Sequence, residues 1–313
     1  MQIMDKLKKY WSCFRKKHGI FYTLMLAVPV IQFSIFYIGV NFNSILYAFQ
    51  DFNYDTGKYE FSGGGHFLQI IEDFRELPYL WTSVKNSFIA LLVNILTLFL
   101  SAFFSYYIYK KNFGSSFFKI VLFLPAMISS VSMATMFRYF ADRAIPELIL
   151  QISGNKPTGF FSSENTSLFA VLSYSMFIGF ASQILLLLGG MEGISFSIIE
   201  SAQIDGVTPL REFISIVIPM IYPTIVTFLV VQVGGLFTNQ MHLYTFYGGG
   251  AEYSLYTMGY HLYKKTLGVG STTLSDYPYL SALGLVLTLV SLPITFTVKF
   301  LLEKFGPDKE KKI

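Results

Sequence analysis

Six stretches of this chain, residues 20–40, 87–109, 120–137, 167–190, 213–237 and 277–298, contain no Asp, Glu, Lys, Arg or His. A helix advances ~1.5 Å per residue, so about 20 mostly apolar residues carry it across the hydrocarbon layer of a bilayer. The runs are continuously apolar and lack the period-two alternation of a barrel wall, so they are read as helices. With 53% hydrophobic and 13% charged residues, the chain has too little charge to cover a soluble globule of this length. The fold class that follows is an all-α membrane protein of six transmembrane helices.

Lys and Arg near span ends set orientation. Lys6, Lys8, Lys9, Arg15, Lys16 and Lys17 precede the first span, Lys110, Lys111 and Lys119 surround the turn after the second, and Lys299, Lys304, Lys309, Lys311 and Lys312 follow the sixth. Alternating spans put all three groups on one side, which is the cytoplasmic one, with both termini there. The division expected is a basic arm at 1–19, a membrane domain at 20–300 and a tail at 301–313. The first run is too long for the core of a cleaved signal peptide and stays as a span. The net charge of +4 belongs to this orientation; no basic stripe for nucleic acid is present. Cys13 is the sole cysteine, so no intrachain disulfide can form.

The connection at 191–212 should be cytoplasmic, yet it reads as two short helices. Ser197-Ile198-Ile199-Glu200 fits a capping box that would start a helix at Ser197. Asp205-Gly206 would end it, because glycine takes the left-handed conformation cheaply. Thr208-Pro209 opens the next helix, with Thr as cap and Pro where its missing N–H costs nothing. Pro219 and Pro223 then mark a kink or hinge in the fifth span.

Glu200-Ser201-Ala202, Asp205-Gly206, Phe213, Ile216, Pro219 and Pro223 resemble the cytoplasmic signature loop of permease subunits in bacterial type I ABC importers. That loop carries a Glu-Ala-Ala triplet, then Asp-Gly and spaced prolines. Along the chain, Tyr47 to Asn53, Leu124-Pro125 and Tyr247-Gly248-Gly249-Gly250 are similar to the branch with the maltose and glycerol-3-phosphate permeases. Ser201 departs from the middle Ala, Ala251 stands where Pro is usual, and His242 lies near a position often acidic.

The resemblance implies a coupling helix, formed by Glu200, Ser201, Ala202, Asp205 and Gly206, that docks on a dimeric ABC ATPase. Small Ser201 and Ala202 would permit close approach, and Glu200 would pair with a base on the ATPase. It also implies a second homologous permease, an extracellular substrate-binding (lipo)protein and a sugar substrate. ATP-Mg would be bound by the ATPase, since this chain has no nucleotide motif and no cofactor of its own. Gly179, Ser182 and Gln183 before the loop, and Gln232 and Gly235 after it, are the candidates for the sugar pathway. Each alternatively serves only helix packing, as Glu200 and Gly206 alternatively serve only their own helix ends.

His18, His66, His242 and His261 have no metal-site spacing and are read as surface residues. Gly63-Gly64-Gly65 and Gly248-Gly249-Gly250 lack the Lys-Ser/Thr of a P-loop and read as turns. Two other classes stay in view. An ion-coupled secondary transporter would place ionisable groups inside its spans, and a membrane enzyme would need catalytic groups at the surface. An ABC importer for a non-sugar solute, such as a glycerophosphodiester, is the remaining alternative.

Overall fold

The computed structural model describes residues 19–268 and 273–307. Cys13, most of the basic arm, and Lys309, Lys311 and Lys312 lie outside the described residues. The chain divides into two compact units, residues up to Leu68 together with Leu274–Leu285, and Gln69–Thr273 together with Val286 onward.

In the first unit, α1 (Gly19–Gln32) passes through a π-helical stretch, Phe33–Gly39, into α2 (Val40–Tyr47). A two-stranded antiparallel hairpin follows, β1 (Gln50–Asn53) against β2 (Lys58–Phe61), with Asp51 opposite Glu60. Tyr54 and Tyr59 hold the hairpin by hydroxyl bonds to the Ser275 Oγ and the Leu274 carbonyl, at 3.0 and 3.1 Å. After a turn in which Gly63 has φ +84°, helix α3 (Gly65–Glu76) begins in this unit and belongs from Gln69 onward to the second.

The second unit is built on α4 (Pro78–Tyr109). It continues through α5 (Ser115–Met127), α6 (Ser130–Tyr139), α7 (Ile145–Ser153) and α8 (Glu164–Glu192). Beyond these come α9 (Phe196–Ile204), α10 (Pro209–Glu212), α11 (Ile218–Gly234), α12 (Leu243–Tyr247), α13 (Met258–Thr266) and α14 (Asp276–Phe305). The first residues of α14 belong to the first unit.

Helix α4 lies along α8. Ser83, Ser87, Ala90, Thr97, Ser101, Ala102 and Ser105 are all buried on α4, and small side chains at helical spacing let two backbones approach closely in lipid. Ser101 and Ser105 reach the carbonyls of Phe180 and Ile184 at 3.4 and 3.2 Å. Both pairs share the same sequence offset, so the two helices run parallel and end on the same side. Helix α11 turns back against them. A Cβ on Gly190 would sit 3.5 Å from Thr224 Oγ1 and 3.7 Å from Ile221 Cγ2.

Five helical runs are long and apolar enough to cross a membrane: Phe21–Tyr47, Pro78–Tyr109, Glu164–Glu192, Pro209–Gly234 and Asp276–Phe305. The run at 120–137 is not one helix. Ile128 (φ −91°, ψ 144°) and Ser129 (φ −52°, ψ 133°) are extended and separate α5 from α6. Pro125 inside α5 already lacks one helical N–H. Hydropathy registers composition and is blind to this break.

The expected kink in the fifth span takes the form of a π-helical turn, Phe213–Val217, immediately before α11. Pro219 cannot donate to the carbonyl four residues back and its ring crowds it, and a wider turn at that point relieves both faults. In a separate cluster, Phe161, Tyr174, Phe246, Tyr256 and Tyr260 form an aromatic core with Met241 and Leu243. His261 is buried beside Tyr79, with ring centroids 5.7 Å apart, so it is not a surface residue. His242 also departs from that reading: it is partly buried, and its ring meets Tyr174 edge-on at 5.1 Å.

Candidate functional site

Helix α8 ends at Glu192, and Ile194 donates to the Met191 carbonyl at 3.0 Å to turn the chain into α9. The capping box does not form. Ser195, not Ser197, occupies the cap position, its hydroxyl meets that of Ser197 at 2.8 Å, and no side chain caps the first turn. Starting the helix at Phe196 puts Ser197 inside it, where its oxygen cannot reach the third N–H ahead. Glu200 is left exposed.

Ile199 is buried in the core with Leu98, Tyr106, Met191, Phe213 and Val217 and pins α9 there, and Ala202 is buried too. The opposite face shows Phe196 (74% exposed), Ile204 (82% exposed), Glu200 and Ser201. Two large apolar side chains beside a carboxylate, on a helix whose other face is fixed, are suited to a protein partner.

The end of α9 is built as expected. Gly206 has φ +72°, its N–H reaches the Gln203 carbonyl at 3.0 Å, and the N–H of Val207 reaches that of Ala202 at 3.0 Å. These are the two bonds of a Schellman motif, and they satisfy carbonyls the helix would leave open. Pro209 sits at the first position of α10 after Thr208, whose side chain makes no capping bond.

An element absent from the sequence reading locks this segment to the spans. Glu212, 1% exposed, receives Lys110 Nζ at 2.9 and 3.1 Å on its two oxygens and the Tyr106 hydroxyl at 3.0 Å. Tyr106 also lies 3.1 Å from the Pro209 carbonyl. A buried carboxylate is tolerated only with such partners. The signal in the sequence was an acid one residue before an apolar span, which by itself looks like a solvent-side residue.

The pathway candidates separate. Gln183 is buried and its Oε1 has no hydrogen-bond partner, and both amide atoms of Gln232 are buried without one. From the contact at Gly190, Gln183 lies seven residues up α8. Gln232 lies eight residues beyond Thr224 on antiparallel α11. At ~1.5 Å per residue both sit ~10–12 Å from that contact, hence at similar depth. Gln183 is two turns from Gly190, and Gln232 three turns from Ile221, so both are on the facing sides of α8 and α11. A Cβ on Gly179 would be 3.8 Å from Gln183 Nε2 and 3.8 Å from Thr97 on α4, which adds α4 to this seam. Ser182 is exposed and its hydroxyl turns back to the Ile178 carbonyl at 3.3 Å, and Gly235 serves as the C-cap of α11. Among the described residues no group of three His, Cys, Asp or Glu could hold a metal ion.

Five helical runs long and apolar enough to cross a membrane make this a multi-span membrane protein. The chain belongs to the family of binding-protein-dependent transport system inner membrane components, whose model matches residues 19–311. It is a permease component of an ABC importer in the cell membrane, and not an enzyme. It is similar to the multiple sugar-binding transport system permease protein MsmF of Streptococcus mutans, 23% identical over 93% of this chain and 94% of that protein. It is also similar to the arabinooligosaccharides transport system permease protein AraP of Bacillus subtilis, 24% identical over 87% and 85%. In fold it matches the structure of a bacterial ABC transporter involved in the import of the acidic polysaccharide alginate, with TM-score 0.74 and 17% identity over 96% of this chain and 100% of that one.

Proposed function

We propose that the chain passes a carbohydrate, delivered by an external binding protein, through a pore shared with a second permease. The α9 face of Phe196, Glu200, Ser201 and Ile204 docks on a separate ATPase that binds ATP-Mg. The observation that carries this reading is the construction of α9: one face fixed to the spans through Ile199, the other bare. Closure of the ATPase would move α9 and, through Glu212 and Lys110, the end of α4. The energy comes from the different stabilities of two arrangements of the spans. Gln183 and Gln232 offer amide donors and acceptors to sugar hydroxyls. The basic ends of the spans, with both chain termini, face the cytoplasm.

A second reading, a phosphorylated glycerol compound as solute, is favoured by the similarity to the sn-glycerol-3-phosphate transport system permease protein UgpA of Yersinia pestis, 25% identical over 77% of this chain. Uptake by a strain lacking this chain, with and without restoring it, across a panel of mono- and oligosaccharides and glycerol phosphodiesters decides between them. Restored uptake of a sugar alone supports the first reading. Restoration only for the phosphodiesters replaces it. Failure to recover an ATPase and a second permease on purification overturns the coupled scheme.

A further inference from the structure

Beside the coupling segment, the ends of α4 and α8, the start of α5 and helix α9 enclose a cleft of about 640 Å³. Its apolar wall is Ile108, Ile194, Ile199 and the near edge of Phe196, and its polar rim carries Lys111, Lys119 and Ser115. Lys110 also borders it but is committed to Glu212. Lys119 is 3.5 Å from Glu192, the one acid on the rim, whereas Lys111 has no ion-pair partner among the described residues. With Lys110 neutralised, the rim holds one positive charge in excess.

Three further features at the same place accept an anion. Lys111 has φ +52°, a conformation uncommon outside glycine, so the turn places this lysine at the rim at some conformational cost. Helix α5, thirteen residues long, has no acid in its first turn and no side-chain cap. The amides of Ser116 and Phe117 have no acceptor among the described residues, and such a helix start carries a partial positive charge. Independently of the helix end, Ser115 is 9% exposed, lines the cleft, and its hydroxyl makes no hydrogen bond. Its oxygen is not itself buried but open to the cleft, so this hydroxyl is available to donate to a group bound there.

We propose that this cleft holds the phosphate of an anionic phospholipid, with the Ser115 hydroxyl and the first amides of α5 on its oxygens and Lys111 and Lys119 supplying the charge. Free phosphate has the same polar chemistry, but two observations select the lipid. The wall behind the rim is apolar, isoleucine with Phe196, fit for the first methylenes of an acyl chain. The connector into α5 exposes Phe113 (97%) and Phe117 (65%), aromatic rings of the kind found at headgroup level. Basic pockets at the cytoplasmic ends of spans suit the anionic lipids of that leaflet. Because Ile199 and Gln203 of α9 form the far wall, an occupied cleft braces the coupling helix against α5. Membrane composition then bears on coupling, whatever solute the pore carries.

The test uses the assembled complex in nanodiscs of phosphatidylcholine with or without phosphatidylglycerol, reading retained lipid by native mass spectrometry and ATP hydrolysis in parallel. The wild type should retain phosphatidylglycerol in preference. Lys111→Gln with Lys119→Gln should reduce that preference ~tenfold, and Ser115→Ala, a milder change, should reduce it severalfold. Lys299→Gln with Lys304→Gln removes the same charge from the last turns of α14 and should leave it intact. Equal retention by the wild type and the Lys111/Lys119 variant, or equal loss in the α14 control, overturns the site. Displacement of the lipid by millimolar inorganic phosphate assigns the cleft to a free anion and overturns the lipid. Loss of the ATPase from the Lys111/Lys119 variant in pure phosphatidylcholine makes the cleft a protein-docking surface, which also overturns the proposal.

Discussion

Lys110 and Glu212, 102 positions apart, face each other at 2.9 and 3.1 Å with the carboxylate almost wholly buried. Removing one partner of such a pair strands a buried charge at a cost of ~3–5 kcal/mol, whereas replacing both by apolar residues of similar size is often neutral. Lys110→Met should therefore lower the thermal stability of the purified complex strongly, and Lys110→Met with Glu212→Leu should regain most of the loss. Additive losses in the double variant would show that the two residues do not act as a pair.

At the end of α9, Gly206 has a positive φ, and a Cβ added there meets nothing within 4 Å. The penalty for a side chain is thus confined to the backbone, ~1–2 kcal/mol for an ordinary residue, and Asn tolerates the conformation best. Substrate-stimulated ATP hydrolysis should fall in the order Gly206→Asn, Gly206→Ala, Gly206→Val, with membrane insertion unchanged. Equal stimulation in all three would separate this turn from coupling.

Gln232 holds two buried amide atoms without partners and Gln183 one. An unmade hydrogen bond in a buried site costs ~1–3 kcal/mol, so Gln232→Leu should leave the complex as stable as before or more so. Uptake per assembled complex should nonetheless drop. A residue used for helix-to-helix bonding would show the reverse pattern, lower stability with unchanged uptake, and that result would remove Gln232 from the pathway.

His261 titrates far below its ordinary value: burial, then Lys265 and Lys264, push it down to about 4, against a smaller opposing effect of Asp73. The folded state therefore holds it neutral while the unfolded chain binds a proton below about 6.5. Its contribution is complete above pH 6.5, is lost as pH falls from there through about 4, and amounts to roughly 3 kcal/mol. Melting temperature in detergent should decline over that window, and His261→Gln should flatten the decline. An unaltered slope in the variant would assign the acid sensitivity to other groups.

The apolar runs at 87–109, 167–190 and 213–237 were legible because their composition has only one solvent in which it is at ease. The end of α9 was equally legible, since only the local backbone decides where Gly206 turns. Its start was not: Ser195 and Ser197 are both suitable caps, and the burial of Ile199 in one core with Met191 and Val217 chose the frame. His261 was misread because burial depends on residues far away in the chain, and the break at Ile128 because two extended residues leave no mark on hydropathy. Gln183 and Gln232 stood out as polar residues among apolar ones, but their lack of partners is visible only in three dimensions.

The π-helical turn Phe213–Val217 also explains why Glu212 escaped notice. In a regular helix each residue turns the chain by ~100°, so five residues would set Glu212 ~140° away from buried Val217, on a different side of the cylinder. A turn closed by bonds five residues apart absorbs one residue without advancing the angle, and the separation shrinks to ~40°. The acid that grips α4 and the apolar row of Val217, Ile221 and Ile225 then share one flank. A wheel drawn at constant pitch assigns them to different flanks, so the angular phase of this helix has to be counted separately on either side of the turn.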